Sequence, residues 1–326
     1  MKSYDTIIIG SGAAGAAAAI YARRYEMTTV LIMGAPGGET AIAGYIENYP
    51  GFLKVEGYDL MERMLEQAKA LGTETVEGEA ELINNRAHCF TVQVGGKSYQ
   101  GKTLILAMGM ERRTLGLQGE AALKGKGVQY CVTCDGPLFK GKTVAVVGGG
   151  DSAVKGAYQL VDMGANHVYL IVREEDIDRA EAVNRTRLTS KGKKVDVLFG
   201  TEVAALTGKT KLASVTLSKE WNGSKTLPVE GLFVEIGAVP RSELPKELGV
   251  RFDTRGQVDV DPRTMQTSVP GVFAAGDITN ASGRFKQIVT GAAQGSIAAT
   301  GAYDEVQEHP NVCELHAVPV GKKGSV

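Results

Sequence analysis

Short runs of Val and Ile, each followed by a cluster of glycines, punctuate this chain, with polar stretches between them. Such runs predict strands that turn directly into helices, the pattern of an α/β fold. The segment YDTIIIGSGAAGAAAAIYARRY (4–25) reads as strand, glycine turn and Ala-rich helix, and KTVAVVGGGDSAVKGAYQLVDMG (142–164) repeats the plan. A third apolar strand, GVFAAGD (271–277), precedes a predicted helix over 291–306. NRAHCFTVQV (85–94) alternates as a strand does.

Two strand–glycine–helix units predict two Rossmann-like dinucleotide-binding domains. No low-complexity linker separates them, so the second is expected to be inserted into the first. The expected crossings are GMERRTLG (109–116) and GAVPRSEL (237–244). This divides the chain into 1–113 and 242–326 for the first domain and its tail, and 114–241 for the insert.

A chain of 326 residues, 43% hydrophobic, can bury ordinary cores in about two domains. A net charge of −1 without basic blocks points away from nucleic acid and anionic membrane surfaces. The apolar run at 6–22 carries glycines and no cleavage pattern, so it is not read as a signal or membrane segment, and the chain is read as cytoplasmic. Four cysteines are too few for a disulfide framework in a chain of this size. A reducing compartment directs attention to CVTCDG (131–136).

In GSGAAG, Gly10 allows the tight turn, Gly12 lets backbone approach a pyrophosphate, and Gly15 permits close helix–strand packing. Ala13 and Ala14 open the helix whose amides would receive the phosphate. Gly148, Gly150 and Ala153 take the same roles in GGGDSA, with Asp151 and Ser152 between them. Beyond the second predicted strand, an acidic residue would bind the ribose hydroxyls of NAD, and arginine would take the extra phosphate of NADP. Arg173, Glu174, Glu175 and Arg179 fall there, and a solvated charged turn is the plainer reading of the same residues.

Cys131 and Cys134 can form a disulfide, bind metal or sit inert. Zinc would need two more ligands, and His88, Cys89, His167, His309, Cys313 and His316 offer no second C-x-x-C or closely spaced histidine pair. No metal is expected, and redox chemistry is favoured. Asp135, next to Cys134, can move the proton that dithiol chemistry needs, although Asp-Gly is also a common turn pair. Cys89 reads as a buried structural cysteine, while Cys313, His316 and the C-terminal tail receive no role.

The order of these motifs resembles that of the low-molecular-weight thioredoxin reductases over residues 4–306. Further matches are GGET (37–40), ENYPG (47–51), LILAMGM (104–110) and TSVPGVFAAGD (267–277). The resemblance implies a flavin domain built from both chain ends, with a pyridine-nucleotide domain inserted. It places FAD on Gly10, Gly12 and Gly15, on Gly38 and Glu39, near Asn48 and Gly109, and on Gly276 and Asp277. Lys286, Gln287 and Ile288 stand where the family shows Arg-Gln-Ala. It implies that Cys134 faces the flavin, that Cys131 attacks the substrate disulfide, and that the partner is thioredoxin or a thioredoxin-like protein. It also implies rotation of the inserted domain, and a homodimer is expected.

The family's His-Arg-Arg and later Arg, which clamp the phosphate of NADPH, are replaced here by Val172, Arg173 and Glu174, then Arg179. The donor is therefore open between NADH and NADPH, with NADH favoured and reduced ferredoxin or a second flavin next. The competing functions are a dithiol oxidase that passes electrons to oxygen and a non-catalytic redox sensor. The disulfide reductase is the expectation carried forward.

Overall fold

Ile7, Ile8 and Ile9 lie in the strand Lys2–Ile9, and none of the three is more than 4% exposed. A strand covered on both faces belongs in the middle of a parallel sheet, which explains an unbroken apolar run in place of alternation. The computed structural model describes residues 2–86, 89–283, 285–310 and 313. His88 and His316, weighed above as ligands, lie outside them. The chain divides into two units, Met1–Met110 with Pro240–Val326, and Glu111–Val239.

In the first unit Lys2–Ile9 pairs in parallel with Thr29–Met33 on one side and Lys97–Leu106 on the other. Glu74–Glu77 extends the sheet beyond Thr29–Met33. The strand Lys97–Leu106 does two jobs. Its first half closes an antiparallel hairpin with Cys89–Val94, and its second half pairs in parallel with Val272–Ala274. The late strand read in GVFAAGD thus joins the same sheet, with Lys97–Leu106 between it and the first strand. Phe90 and Phe273 are at most 2% exposed, and each buried side chain of this size contributes about 1.5–3 kcal/mol.

Helix Ala13–Arg24 packs against helix Ile288–Glu308. Small residues make the approach close: a Cβ built on Gly295 would lie 2.0 Å from the Ala14 carbonyl oxygen. Any side chain there would push the helices apart. Cys89 is buried as expected, but it is disulfide-bonded to Cys313, with Cα atoms 5.0 Å apart. A bond across 224 residues ties the chain end to the hairpin.

The second unit holds a parallel sheet in the order Val128–Gln129, Gly231–Val234, Thr143–Val147, His167–Ile171, Val195–Leu198. A three-stranded antiparallel sheet follows, built from Val203–Thr207, Ser214–Trp221 and Ser224–Pro228. Helix Asp151–Asp162 packs on the parallel sheet through Val154, Ala157 and Leu160, all fully buried. Among the described residues no helix is long and apolar enough to cross a membrane.

Candidate active site

Gly10 sits between the first strand and its helix at φ +105°, a conformation that L side chains rarely adopt. A Cβ on Gly15 would lie 1.8 Å from the Gly10 carbonyl oxygen, so both positions need glycine. Gly12 is the N-cap of Ala13–Arg24 and offers no side-chain cap to the helix amides. Gly38 closes on this turn: a Cβ there would stand 3.5 Å from Gly12 Cα. The result is a bare cradle at the positive end of a twelve-residue helix, suited to a pyrophosphate.

Several expected flavin residues gather in the same unit. The Asn48 amide donates to Gln287 Oε1 at 3.0 Å. Gln287 is the N-cap of Ile288–Glu308 and forms a reciprocal capping box with Thr290. Ile288 packs against Ala13, Ala16 and Met61. Gly276 donates its N–H to Gln294 Oε1 at 2.8 Å, and Thr279 Oγ1 donates to the same oxygen at 3.3 Å. Gln294 was not foreseen from sequence; a glutamine inside an Ala/Gly-rich helix was the available signal. Gly109 has φ +66° and open space around it.

Asp277 is the polar group left over. Among the described residues nothing hydrogen-bonds its carboxylate, while its backbone carbonyl accepts from Gln257 Nε2 at 3.4 Å. Burial pushes its carboxyl up, Lys286 pulls against that shift, and Glu39 adds to it. Lys286 itself is held below its ordinary value by burial and donates to the Thr279 carbonyl. A half-buried carboxylate lacking a donor, beside a glycine cradle, fits the hydroxyl-rich chain and pyrophosphate of FAD.

The cysteine pair lies in the second unit, on the short helix Val132–Asp135. Cys131 is its N-cap, and Cys131 Sγ accepts the Cys134 N–H at 3.1 Å. The two are joined as a disulfide with Cα atoms 5.4 Å apart, Cys134 exposed and Cys131 half-buried. Val132 fixes the turn on helix Asp151–Asp162, where a Cβ on Gly156 would lie 2.9 Å from Val132 Cγ2. Burial raises the Asp135 carboxyl above its ordinary range. In the amide orientation that satisfies both ends of buried Gln129, its nitrogen donates to Asp135 Oδ2 at 3.1 Å. Gln129 was also not foreseen, because nothing in its local sequence marks it.

In the glycine turn of this unit Gly148 has φ +138°, and Gly150 is the N-cap of Asp151–Asp162. Asp151 Oδ1 accepts from the Glu181 N–H at 2.9 Å and from Asn184 Nδ2 at 2.8 Å, while Ser152 is exposed and Ala153 buried. Glu174 Oε1 receives Arg173 Nη2 at 3.2 Å and Arg179 Nη2 at 2.8 Å. Glu174 and the glycine turn therefore meet, whereas Glu175 turns toward Gly200 and Lys219.

Residues 4–295 match the model of the pyridine nucleotide-disulphide oxidoreductases. The thioredoxin reductase of Listeria innocua is 38% identical over 97% of this chain and 98% of its own. The chain belongs to the thioredoxin reductase family. Thioredoxin reductase of Lactococcus lactis, in a crystal structure of its FR conformation, matches with a TM-score of 0.87 and 33% identity over 94% of this chain and 99% of its own. That of T. acidophilum matches at 0.86 with 32% identity, over 94% and 100%. A thioredoxin reductase-family chain is an oxidoreductase acting on disulfides, and the family uses FAD and NAD(P)H. Among the readings above, the disulfide reductase is the supported one, ahead of the oxidase and the sensor.

Proposed function

We propose that this protein reduces the disulfide of thioredoxin or a thioredoxin-like small protein at Cys131 and Cys134, working in the cytoplasm as a homodimer. The observation that carries the reading is the Cys131–Cys134 disulfide followed at once by a carboxyl that burial raises. We assign FAD to 1–113 and 242–326, on the cradle of Gly10, Gly12, Ala13, Ala14, Gly15, Gly38 and Glu39, with Asn48, Gly109, Gly276, Asp277, Lys286, Gln287 and Ile288 around it. We assign the nucleotide donor to 114–241, on Gly148, Gly150, Asp151, Ser152, Ala153, Arg173 and Glu174. FAD held in that cradle would carry two electrons from the donor to the disulfide.

From the dithiol, the chain's own residues suffice. The Cys134 N–H aimed at Cys131 Sγ stabilises negative charge on that sulfur, which favours Cys131 as the attacking thiolate. It attacks one sulfur of the substrate disulfide, the S–S bond breaks, and the released thiolate takes a proton. Cys134 then loses its proton and attacks Cys131 Sγ. The mixed disulfide breaks, Cys131–Cys134 reforms, and the second substrate thiolate leaves and is protonated. Asp135, adjacent to Cys134, is the group that holds and passes these protons.

Photoreduced enzyme, which needs no nucleotide, should convert oxidised thioredoxin to its dithiol. Cys134→Ser should trap a mixed disulfide at Cys131, read by mass spectrometry of the digested adduct. Adduct formed in Cys131→Ser at Cys134 would reverse the two roles, and no thiol release from photoreduced enzyme would sink the reading. Sedimentation of the holoenzyme tests the homodimer.

A further inference from the structure

The second glycine turn carries its own specificity device. Beyond the strand His167–Ile171, Val172 and Glu174 both lean on Gly149, the middle glycine of GGGDSA. A Cβ built on Gly149 would stand 2.8 Å from Val172 Cγ1 and 3.3 Å from Glu174 Oε2. In a dinucleotide fold, the acidic residue beyond the second strand meets the adenosine ribose beside the glycine turn. Glu174 is the carboxylate that the fold delivers there. Glu175, next in sequence, is exposed and points elsewhere: its Oε1 lies near Gly200, where Lys219 Nζ also sits.

The two arginines nearby would ordinarily suggest the opposite donor, since a guanidinium fork is what binds a 2′-phosphate. Both are turned onto one atom. Arg173 and Arg179 donate to Glu174 Oε1, leaving Oε2 directed at the glycine turn. We propose that Glu174 selects a nucleotide with a free 2′-hydroxyl, so that NADH is the preferred hydride donor and NADPH is disfavoured. The 2′- and 3′-hydroxyls of NADH can donate to Oε2. A 2′-phosphate is mostly dianionic at neutral pH, so this carboxylate repels it, and the two guanidiniums nearby each already give an N–H to Glu174 Oε1. Burial pushes the Glu174 carboxyl up, but its own backbone N–H, the Arg173 hydrogen bond and the charge of Arg179 outweigh burial and hold it below its ordinary range. It is an acceptor throughout the neutral range.

This inference rests on the assignment of the second fold as the donor site and not on the thiol chemistry, which photoreduced enzyme tests without nucleotide. Calorimetric titration of the oxidised holoenzyme with NAD⁺ and NADP⁺ should show at least roughly tenfold tighter binding of NAD⁺, the scale of one discriminating ribose contact. Anaerobic flavin reduction by NADH and NADPH should follow the same order. Glu174→Arg should reverse the binding ratio, and Glu174→Gln, close in size and without the charge, should narrow it. Equal or tighter binding of NADP⁺ by the unmodified protein would overturn the proposal, as would a ratio unmoved by both variants. Failure to bind either nucleotide, with flavin reduction by ferredoxin, would overturn it together with the donor-site assignment and leave the dithiol chemistry standing.

Discussion

Asn48 and Gln287 are 239 residues apart and share a hydrogen bond of 3.0 Å, amide nitrogen to amide oxygen. Gln287 also caps the longest helix among the described residues through its capping box with Thr290. The bond therefore couples the ENYPG segment to the start of that helix, and both ends were expected beside the flavin.

Two substitutions separate the cap from the contact. Gln287→Ala removes both and should destabilise the apoprotein by about 1 kcal/mol through the lost cap. Asn48→Ala leaves the cap intact and should change Tm little. Both should alter the visible absorbance of bound FAD and speed its release. An Asn48→Ala protein with unaltered flavin spectrum and affinity would reduce the contact to a structural tie.

What was legible in the sequence is what the chain encodes locally. Gly10, Gly12 and Gly15 lie within six residues between a strand and a helix, and Cys131 and Cys134 within four, so the tight glycine turn and the cysteine pairing could be read locally. Relationships that depend on tertiary return were not legible. Cys89 read as a structural cysteine, but its partner lies 224 residues away in a tail to which no role was given. Glu174 and Glu175 are equivalent as letters, and the turn after Ile171 decides that only Glu174 meets Gly149. Gln129 and Gln294 act through single side-chain orientations on a strand and a helix, which periodicity does not report.

The Cys89–Cys313 bond closes a long loop, so it should stabilise the fold by restricting the unfolded chain. The entropic limit for such a loop is roughly 5 kcal/mol, and measured bonds typically give about 2–4. Cys313→Ser should lower Tm by roughly 5–15 °C, at about 2–4 °C per kcal/mol for a domain of this size. Because both cysteines are at most 3% exposed, native enzyme reduced at its active site should release two titratable thiols of its four cysteines, the other two appearing only after denaturation with reductant. Two thiols in denatured, unreduced protein would contradict the bond.

Asp135 and Gln129 form a testable acid–amide pair. Asp135→Asn should slow thioredoxin reduction by roughly 10²–10⁴-fold, the range of a positioned acid or base. The Gln129 amide donates to Asp135 and so favours the ionised form. Its loss in Gln129→Ala should move the acid limb of the pH–rate profile to higher pH, whereas Gln129→Glu should move it further. An unchanged profile in both would leave Gln129 as a packing residue only.

Asp277 gives opposite predictions for fold and cofactor. Burial raises its carboxyl above the ordinary 3.8 in the folded apoprotein, so the folded state holds the proton more tightly than the unfolded chain does. Below pH 3.8 both states are protonated and the carboxyl costs the fold nothing. As pH rises through the folded value the proton is lost against burial, and the fold loses stability that it does not regain in the neutral range. Asp277→Asn removes this loss. The variant apoprotein should therefore have a higher Tm than the unmodified apoprotein at pH 7–8, with the difference fading toward pH 3.8, while its FAD affinity falls because the acceptor for a flavin hydroxyl is gone. Calorimetric melts across pH on apoprotein, with FAD titration at pH 7, measure both. A Tm difference that persists undiminished at low pH would mean that the aspartate destabilises the fold by shape and not by charge.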